Sequence, residues 1–105
     1  KKLKILQYKK RDKSSNHLYI VMIDFRKANI DRTTFMQILS SRNIGSQVHY
    51  IPLPIHPYIQ KKGLGMKGLN KSKKYYDQCL SLPIYYGLTK KDQDKIIRII
   101  KDILI

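Results

Sequence analysis

The sequence predicts an α+β domain, in which a small, mainly antiparallel sheet carries helices packed on one face. Two observations support this prediction. Short extended runs alternate with segments of helical periodicity along the chain, and the run 17–25 (HLYIVMIDF) is apolar, β-branched and aromatic almost throughout. The chain has 105 residues, of which 42% are hydrophobic, so it can bury one core of modest size.

The first two strands are predicted in the first quarter of the chain. Apolar and polar residues alternate over 4–8, and the basic, polar stretch 9–16 indicates a loop. The run 17–25 then has the pattern of a central strand that is covered on both faces. Because the helices suffice for one face only, we expect the other to expose an apolar patch, covered by another domain or by a second copy.

A helix over 32–42 has the clearest local signals in the sequence. Asp31 is a suitable N-cap, and apolar positions recur on one face of the following residues. Asn43 can adopt the left-handed conformation that ends a helix, which would let Ile44 fold back onto Leu39. These signals are local, so they do not depend on the rest of the fold.

The middle of the chain is predicted from its prolines and glycines. The stretch 47–51 (QVHYI) has the pattern of a strand that stops at Pro52, and further prolines would hold 52–59 as a stiff, extended connector. A glycine-rich loop follows. Asn70 can then cap a short helix that continues to Leu80.

The last part of the chain is predicted to add an edge strand and a long helix. Pro83 restricts the stretch 81–85 to the edge of a sheet. Thr89 and Asp92 provide a capped start for an amphipathic helix over 90–104. We expect the two long helices to pack on the sheet through six apolar residues: Phe35, Ile38, Leu39, Ile96, Ile100 and Ile103.

The composition and the missing motifs limit the classes of protein to which the chain can belong. The 22 basic and 7 acidic residues give a net charge of +15, which attracts polyanions. Cys79, the single cysteine, is expected in the core, and it cannot form an internal disulfide, which agrees with a reducing cytoplasm. No apolar run has the length of a membrane span, and the sequence contains no nucleophile elbow, phosphate-binding loop or zinc motif. We therefore predict a cytoplasmic protein without membrane association and without a catalytic centre of its own.

Three blocks of the sequence resemble a known family. The blocks are SSNHLYIVMID, QVHYIPLPIHPY and CLSLPIYYGLT, and the second is the most specific. Together they resemble the C-terminal small domain of the DegT/DnrJ/EryC1/StrS family of pyridoxal phosphate (PLP)-dependent sugar aminotransferases. The likeness is strongest to UDP-4-keto-dideoxy-sugar transaminases and spore-coat polysaccharide biosynthesis proteins. Ser72-Lys73 and Ile59 depart from the family pattern, which usually has Ala-Glu and a second tyrosine there.

The resemblance implies a fold, and it implies that the catalytic groups belong to a different domain. The expected fold is the small domain of a type I aminotransferase, over residues 1–105, whose partner is a large PLP-binding domain. In this family the lysine that forms the imine, the acid at the pyridine nitrogen and the phosphate-binding groups belong to that large domain. Because the chain begins at Lys1 without a methionine, we expect it to be a piece of a longer polypeptide. We expect the chain alone to bind no PLP productively and to be inactive.

The resemblance also implies which residues meet the substrate. In the family the small domain closes one side of the active-site cleft, and the full enzymes use a UDP-linked keto sugar and glutamate. His49, Tyr50 and Tyr58 are the predicted substrate-binding residues, and we assign no catalytic residue and no metal ligand. From the residues alone, His49 is better interpreted as a histidine satisfied at a sheet edge, and with the resemblance the two interpretations are equally good. Arg32 is expected to be a solvated residue in the first turn of its helix, and His17 to brace the strand and its turn.

Two other classes of function remain open from the sequence. A basic α+β unit can bind RNA, although the central strand lacks the aromatic signature of the common RNA-binding sheet. Alternatively, the chain is a non-catalytic interaction domain from a truncated gene, which would self-associate through its apolar sheet face.

Overall fold

A computed structural model describes residues 1–6, 15–65 and 67–105. The described elements are β1 (Leu3–Ile5), β2 (Tyr19–Ile23), α1 (Phe25–Ala28), α2 (Arg32–Ser41), a 3₁₀ turn (Leu53–Ile55), α3 (Pro57–Lys61), α4 (Asn70–Gln78), β3 (Cys79–Leu82) and α5 (Lys90–Leu104). The predicted loop 9–16 and the end of the first predicted strand fall largely outside the described residues.

The described strands form an antiparallel sheet in the order β1-β2-β3. Ile23 pairs with Leu3, and Val21 pairs with Ile5 on one side and Leu80 on the other. The apolar run around β2 is therefore the central strand, as predicted. Its last residue, Phe25, instead begins α1, where the Asp24 carboxylate accepts a hydrogen bond from the backbone N–H of Lys27.

The core lies between one face of the sheet and the two longest helices. Its buried residues come from β2, α2, β3, α5 and the turn after α2: Val21, Ile23, Phe35, Leu39, Ile44, Leu80, Ile99 and Ile100. Ile96 and Ile103 are half-buried against this cluster. The predicted packing of both helices on one face is confirmed, with Ile99 added, whereas Ile38 is half-buried outside this cluster.

The ends of α2 follow the local sequence signals. The Asp31 carboxylate accepts hydrogen bonds from the backbone N–H and the hydroxyl of Thr34, at 2.9 and 2.6 Å. These bonds hold the pKa of Asp31 below its usual value. Asn43 adopts a φ of 60°, and the N–H of Ile44 donates to the carbonyl of Leu39 at 2.9 Å. The N-cap and the left-handed C-terminal turn are therefore confirmed.

The predicted strand 47–51 is wrong beyond its first residue. Gln47 pairs with Ser81 of β3 through two backbone hydrogen bonds, and this is an isolated bridge. An antiparallel continuation would place His49 opposite Cys79. The N–H of Cys79 instead donates to Tyr75 in α4, and its carbonyl lies 3.5 Å from Arg32 Nη1. The backbone groups of Cys79, with which a longer 47–51 strand would pair, are therefore already engaged by Tyr75 and Arg32.

The stiff connector predicted for 52–59 is also wrong. The 3₁₀ turn (Leu53–Ile55) and α3 occupy most of it, with prolines in their first turns. A proline has a φ suited to the first turn of a helix and lacks an N–H that would be unpaired there. Proline therefore starts a helix here instead of preventing one.

Helix α4 and strand β3 meet two residues earlier than predicted. Asn70 is the first helical residue and not the cap, because Leu69 is the capping residue and makes no side-chain hydrogen bond. The helix ends at Gln78, and β3 begins at Cys79, whereas the sequence predicted a helix to Leu80 and a strand over 81–85. Burial accounts for the difference, since Cys79 and Leu80 are 1% and 0% exposed as members of the sheet.

The second face of the sheet differs from the expected open apolar surface. By alternation it carries Ile20, Met22, Cys79 and Ser81. The last two are buried and the first two are half-buried. The large exposed apolar side chains lie mainly elsewhere, in the stretches 50–69 and 84–86. Self-association through the sheet face remains a prediction. No described helix is both long and apolar enough to cross a bilayer.

Candidate functional site

A groove of about 550 Å³ lies beside the end of β3, between the turn after α2 and the first turns of α5. Its lining includes His17, His49, Ser81, Asp92 and Lys95. The side chains of His17, His49, Ser81 and Lys95 can donate hydrogen bonds to an anion. The groove also contains the carboxylate of Asp92. We take this groove, with the adjoining stretch 49–58, as the candidate functional site.

His49 is held at two points by different elements. Its ring Nδ1 lies 2.8 Å from the hydroxyl oxygen of Ser81 in β3, and its carbonyl accepts a hydrogen bond of 3.2 Å from the hydroxyl of Tyr75 in α4. The side chain is half-buried in the wall of the groove. The structure is compatible with both interpretations of His49. Its Nδ1 has a hydrogen-bond partner at the edge of the sheet, and its side chain also borders the groove.

Tyr50 and Tyr58 are exposed side chains. The Tyr50 ring packs edge-on against the His49 ring, with centroids 4.7 Å apart, and is 72% exposed. Tyr58 lies on α3, is 67% exposed, and has the ammonium of Lys62 at 5.6 Å from its ring centroid. The structure therefore brings His49 and Tyr50 together, and Tyr58 is exposed on α3.

The groove also contains residues to which the sequence assigned other roles or none. His17 is exposed and lines the groove, and most of the loop that it was predicted to brace lies outside the described residues. Ser81 and Tyr75, which hold His49, carried no signal for that role. Ser81 was recognised only as part of the SLP block, and Tyr75 is one of 8 tyrosines.

Arg32 is not the solvated residue that the sequence predicted. Its guanidinium donates to the carbonyl of Tyr76 near the end of α4, and lies 4.6 Å from the centre of the Tyr76 ring. A cation at this end of a helix binds carbonyls that have no partner within the helix. Arg32 therefore ties the start of α2 to the end of α4, the helix that carries Tyr75.

The residues that line the groove do not fit PLP as a resident cofactor. PLP needs a lysine, an acid at the ring nitrogen and phosphate donors around one pocket. The groove contains Lys95 and Asp92, but Lys95 is exposed. Asp92 is engaged in the capping box of α5, where bonds to Thr89 keep its pKa below the usual value.

Metal binding and thiol chemistry receive no support from the described part of the chain. No group of three or more potential side-chain ligands among His, Cys, Asp and Glu occurs there. Cys79 is a buried free cysteine, and burial raises the pKa of its thiol. It belongs to the packed interior, as the sequence predicted.

Comparison with known proteins identifies close relatives. The DegT/DnrJ/EryC1/StrS aminotransferase family profile matches residues 1–101. The spore coat polysaccharide biosynthesis protein SpsC of Bacillus subtilis is 38% identical over 90 residues, which are 84% of this chain and 23% of that protein. The chain therefore spans about a quarter of the length of this relative.

Solved structures show the same fold. The apo form of the putative sugar aminotransferase Spr1654 from Streptococcus pneumoniae superposes with a TM-score of 0.79 at 26% identity, over 97% of this chain and 26% of that one. Spr1654 is also known in PMP and PLP forms. PseC of Helicobacter pylori, with a TM-score of 0.70 and 23% identity over 88% of this chain and 24% of its own, shares the fold. The chain belongs to the DegT/DnrJ/EryC1/StrS aminotransferase family.

Proposed function

We propose that the chain is the C-terminal small domain of a PLP-dependent nucleotide-sugar aminotransferase, whose large PLP-binding domain lies elsewhere in the polypeptide. One observation carries the proposal: the family profile covers nearly the whole chain, yet the chain spans about a quarter of SpsC and Spr1654. The poor fit of the groove lining to PLP agrees with this division. When bound by the large domain, PLP supplies the electron sink for amino transfer.

The exposed apolar residues support a covering role for the stretch 50–69. Among its described residues, six large apolar or aromatic side chains are at least 40% exposed: Tyr50, Ile51, Leu53, Tyr58, Leu64 and Leu69. A concentration of such side chains in one stretch is characteristic of a surface that meets another protein surface. We propose that this stretch packs on the large domain and closes one side of its active-site cleft.

The substrate is proposed to be a UDP-linked keto sugar, with glutamate as the amino donor. The names of SpsC and Spr1654 refer to polysaccharide biosynthesis and to a sugar aminotransferase, which supports a sugar substrate. His49 can donate from its ring to phosphate or hydroxyl oxygens, and the exposed rings of Tyr50 and Tyr58 can stack on a sugar or a base. Polysaccharide or glycoconjugate synthesis is the proposed process.

The test uses a chimera in which this chain replaces the matching quarter of Spr1654. Amino transfer from glutamate to a UDP-linked 4-keto sugar gives kcat and KM. We expect His49→Ala to raise the KM for the nucleotide sugar about tenfold, as for the loss of one hydrogen bond to a charged group. Tyr50→Ala and Tyr58→Ala should raise it about threefold for lost stacking.

The matched control is Tyr86→Ala, because Tyr86 is a fully exposed tyrosine outside the groove lining. We expect it to leave both constants unchanged. A KM for the His49 variant equal to that of the parent chimera would refute the proposed substrate contact.

A further inference from the structure

Ser81 contacts the segment that carries His49 through both its backbone and its side chain. Its backbone N–H donates to the carbonyl of Gln47 at 2.8 Å, and its carbonyl accepts from the N–H of Gln47 at 3.2 Å. Its hydroxyl oxygen lies 2.8 Å from Nδ1 of His49. Ser81 is only 6% exposed, so the backbone and the side chain of one buried residue both hold this segment.

These contacts define the orientation of the His49 ring. The backbone pair with Gln47 fixes the position of the segment, and the Tyr75 hydroxyl fixes the carbonyl of His49. The hydroxyl of Ser81 then occupies Nδ1, while Tyr50 packs edge-on against the ring. Nε2 is the ring nitrogen that remains for a ligand.

A serine hydroxyl suits this position in both protonation states of a histidine. It can donate to Nδ1 of a neutral ring, and it can accept from the N–H at Nδ1 of a charged ring. A carboxylate in the same place would favour the charged ring, whereas a hydroxyl holds the orientation without imposing a charge. The hydroxyl of Ser81 can therefore hold the ring of His49 in one orientation.

We propose that Ser81 is a positioning residue, which directs Nε2 of His49 at a phosphate oxygen of a nucleotide sugar in the groove. This inference rests on the proposed function and adds to it the residue that orients the contact. Lys95 and His17 line the same groove, so further cationic or N–H groups are available to an anion. Phosphate is the part of a nucleotide sugar that such donors recognise best.

The test compares Ser81→Ala with the 105-residue chain itself. Long-range ¹H–¹⁵N spectra of the ligand-free chain report which nitrogen of His49 carries the proton. We expect the Nδ1 signal of His49 to shift in Ser81→Ala relative to the parent chain, because Nδ1 loses its hydrogen-bond partner. In a titration with UDP, the variant should bind about fivefold more weakly, the effect of misplacing one hydrogen-bond donor.

Three controls separate positioning from a general loss of structure. Ser81→Thr keeps the hydroxyl and should restore both the Nδ1 signal of the parent chain and UDP binding. Ser72→Ala, an exposed serine on α4, should change neither. Uridine, which lacks phosphate, should not distinguish Ser81→Ala from the parent.

An unchanged Nδ1 signal of His49 in Ser81→Ala would overturn the positioning role. Equal UDP affinities for the parent and Ser81→Ala, or no measurable UDP binding to the parent, would overturn the phosphate contact. The spectra are recorded without ligand, so they report on Ser81 even if the chimera fails to catalyse amino transfer. Failure of the proposed function is therefore distinguishable from failure of this inference.

Discussion

Replacement of Arg32 by alanine should destabilise the fold through the loss of a tie between α2 and α4. The guanidinium donates to the carbonyl of Tyr76, stacks on its ring and reaches the carbonyl of Cys79. A lysine at position 32 keeps the charge but loses the planar group that stacks on the ring and donates in two directions. Alanine and lysine therefore remove different parts of the contact.

The magnitude follows from these contacts. A hydrogen bond from a charged donor contributes about 1.5–3 kcal/mol, and a partly exposed cation–π contact about 0.5–1 kcal/mol. Arg32 is half-buried, which places the hydrogen bond near the lower end of its range. We expect Arg32→Ala to lower the free energy of unfolding by about 2 kcal/mol and Arg32→Lys by about 1 kcal/mol.

Urea unfolding followed by circular dichroism measures both changes. Arg98→Ala is the matched control, because Arg98 is an exposed arginine on α5 and should shift the free energy by less than about 0.5 kcal/mol. If Arg32→Ala also fell within that range, the sequence interpretation of a solvated arginine would be correct and the proposed tie wrong.

Two further predictions concern the core and the helix caps. Leu39→Ala should cost about 3 kcal/mol in urea unfolding because Leu39 is completely buried, and a loss below about 1 kcal/mol would contradict the packing. Asp31 and Asp92 have lowered pKa values through bonds to Thr34 and Thr89, so their stabilisation is present above about pH 4 and is lost as the pH falls through their folded-state pKa values. Thermal unfolding between about pH 6 and 2 should therefore show a smaller acid loss in the double Asp→Asn variant than in the parent, and equal losses would refute this origin.

The elements predicted well are those defined by neighbours in sequence. The cap at Asp31, the left-handed Asn43 and the capping box of α5 all depend on contacts within a few residues. The apolar pattern of β2 and the helical stripes likewise report burial directly. Such features need no knowledge of distant parts of the chain.

The errors occur where distant residues compete for the same groups. The α4–β3 boundary depends on the pairing of Cys79 with Met22, and the end of the 47–51 strand depends on Arg32 and Tyr75 reaching the same edge of β3. The contact of His49 with Ser81 spans 32 residues. The hydrophobic periodicity of a segment depends on that segment alone. It therefore cannot show which distant residues compete for the same backbone groups.

Family resemblance supplied the part of the site that periodicity could not. It singled out His49 and Tyr50, which the structure places in contact, and Tyr58, which lies on α3. It did not identify Ser81 as the partner of His49, because a serine inside a sequence block carries no information about what its hydroxyl touches.

Amino transfer by the chain alone and by the Spr1654 chimera tests the central claim most directly. We predict no transfer from glutamate to a UDP-linked keto sugar by the 105 residues alone, and only PLP binding that free lysine competes away. We predict turnover by the chimera, because the large domain supplies the lysine, the acid and the phosphate-binding groups. Stoichiometric, competition-resistant PLP binding together with turnover by the chain alone would contradict the domain assignment.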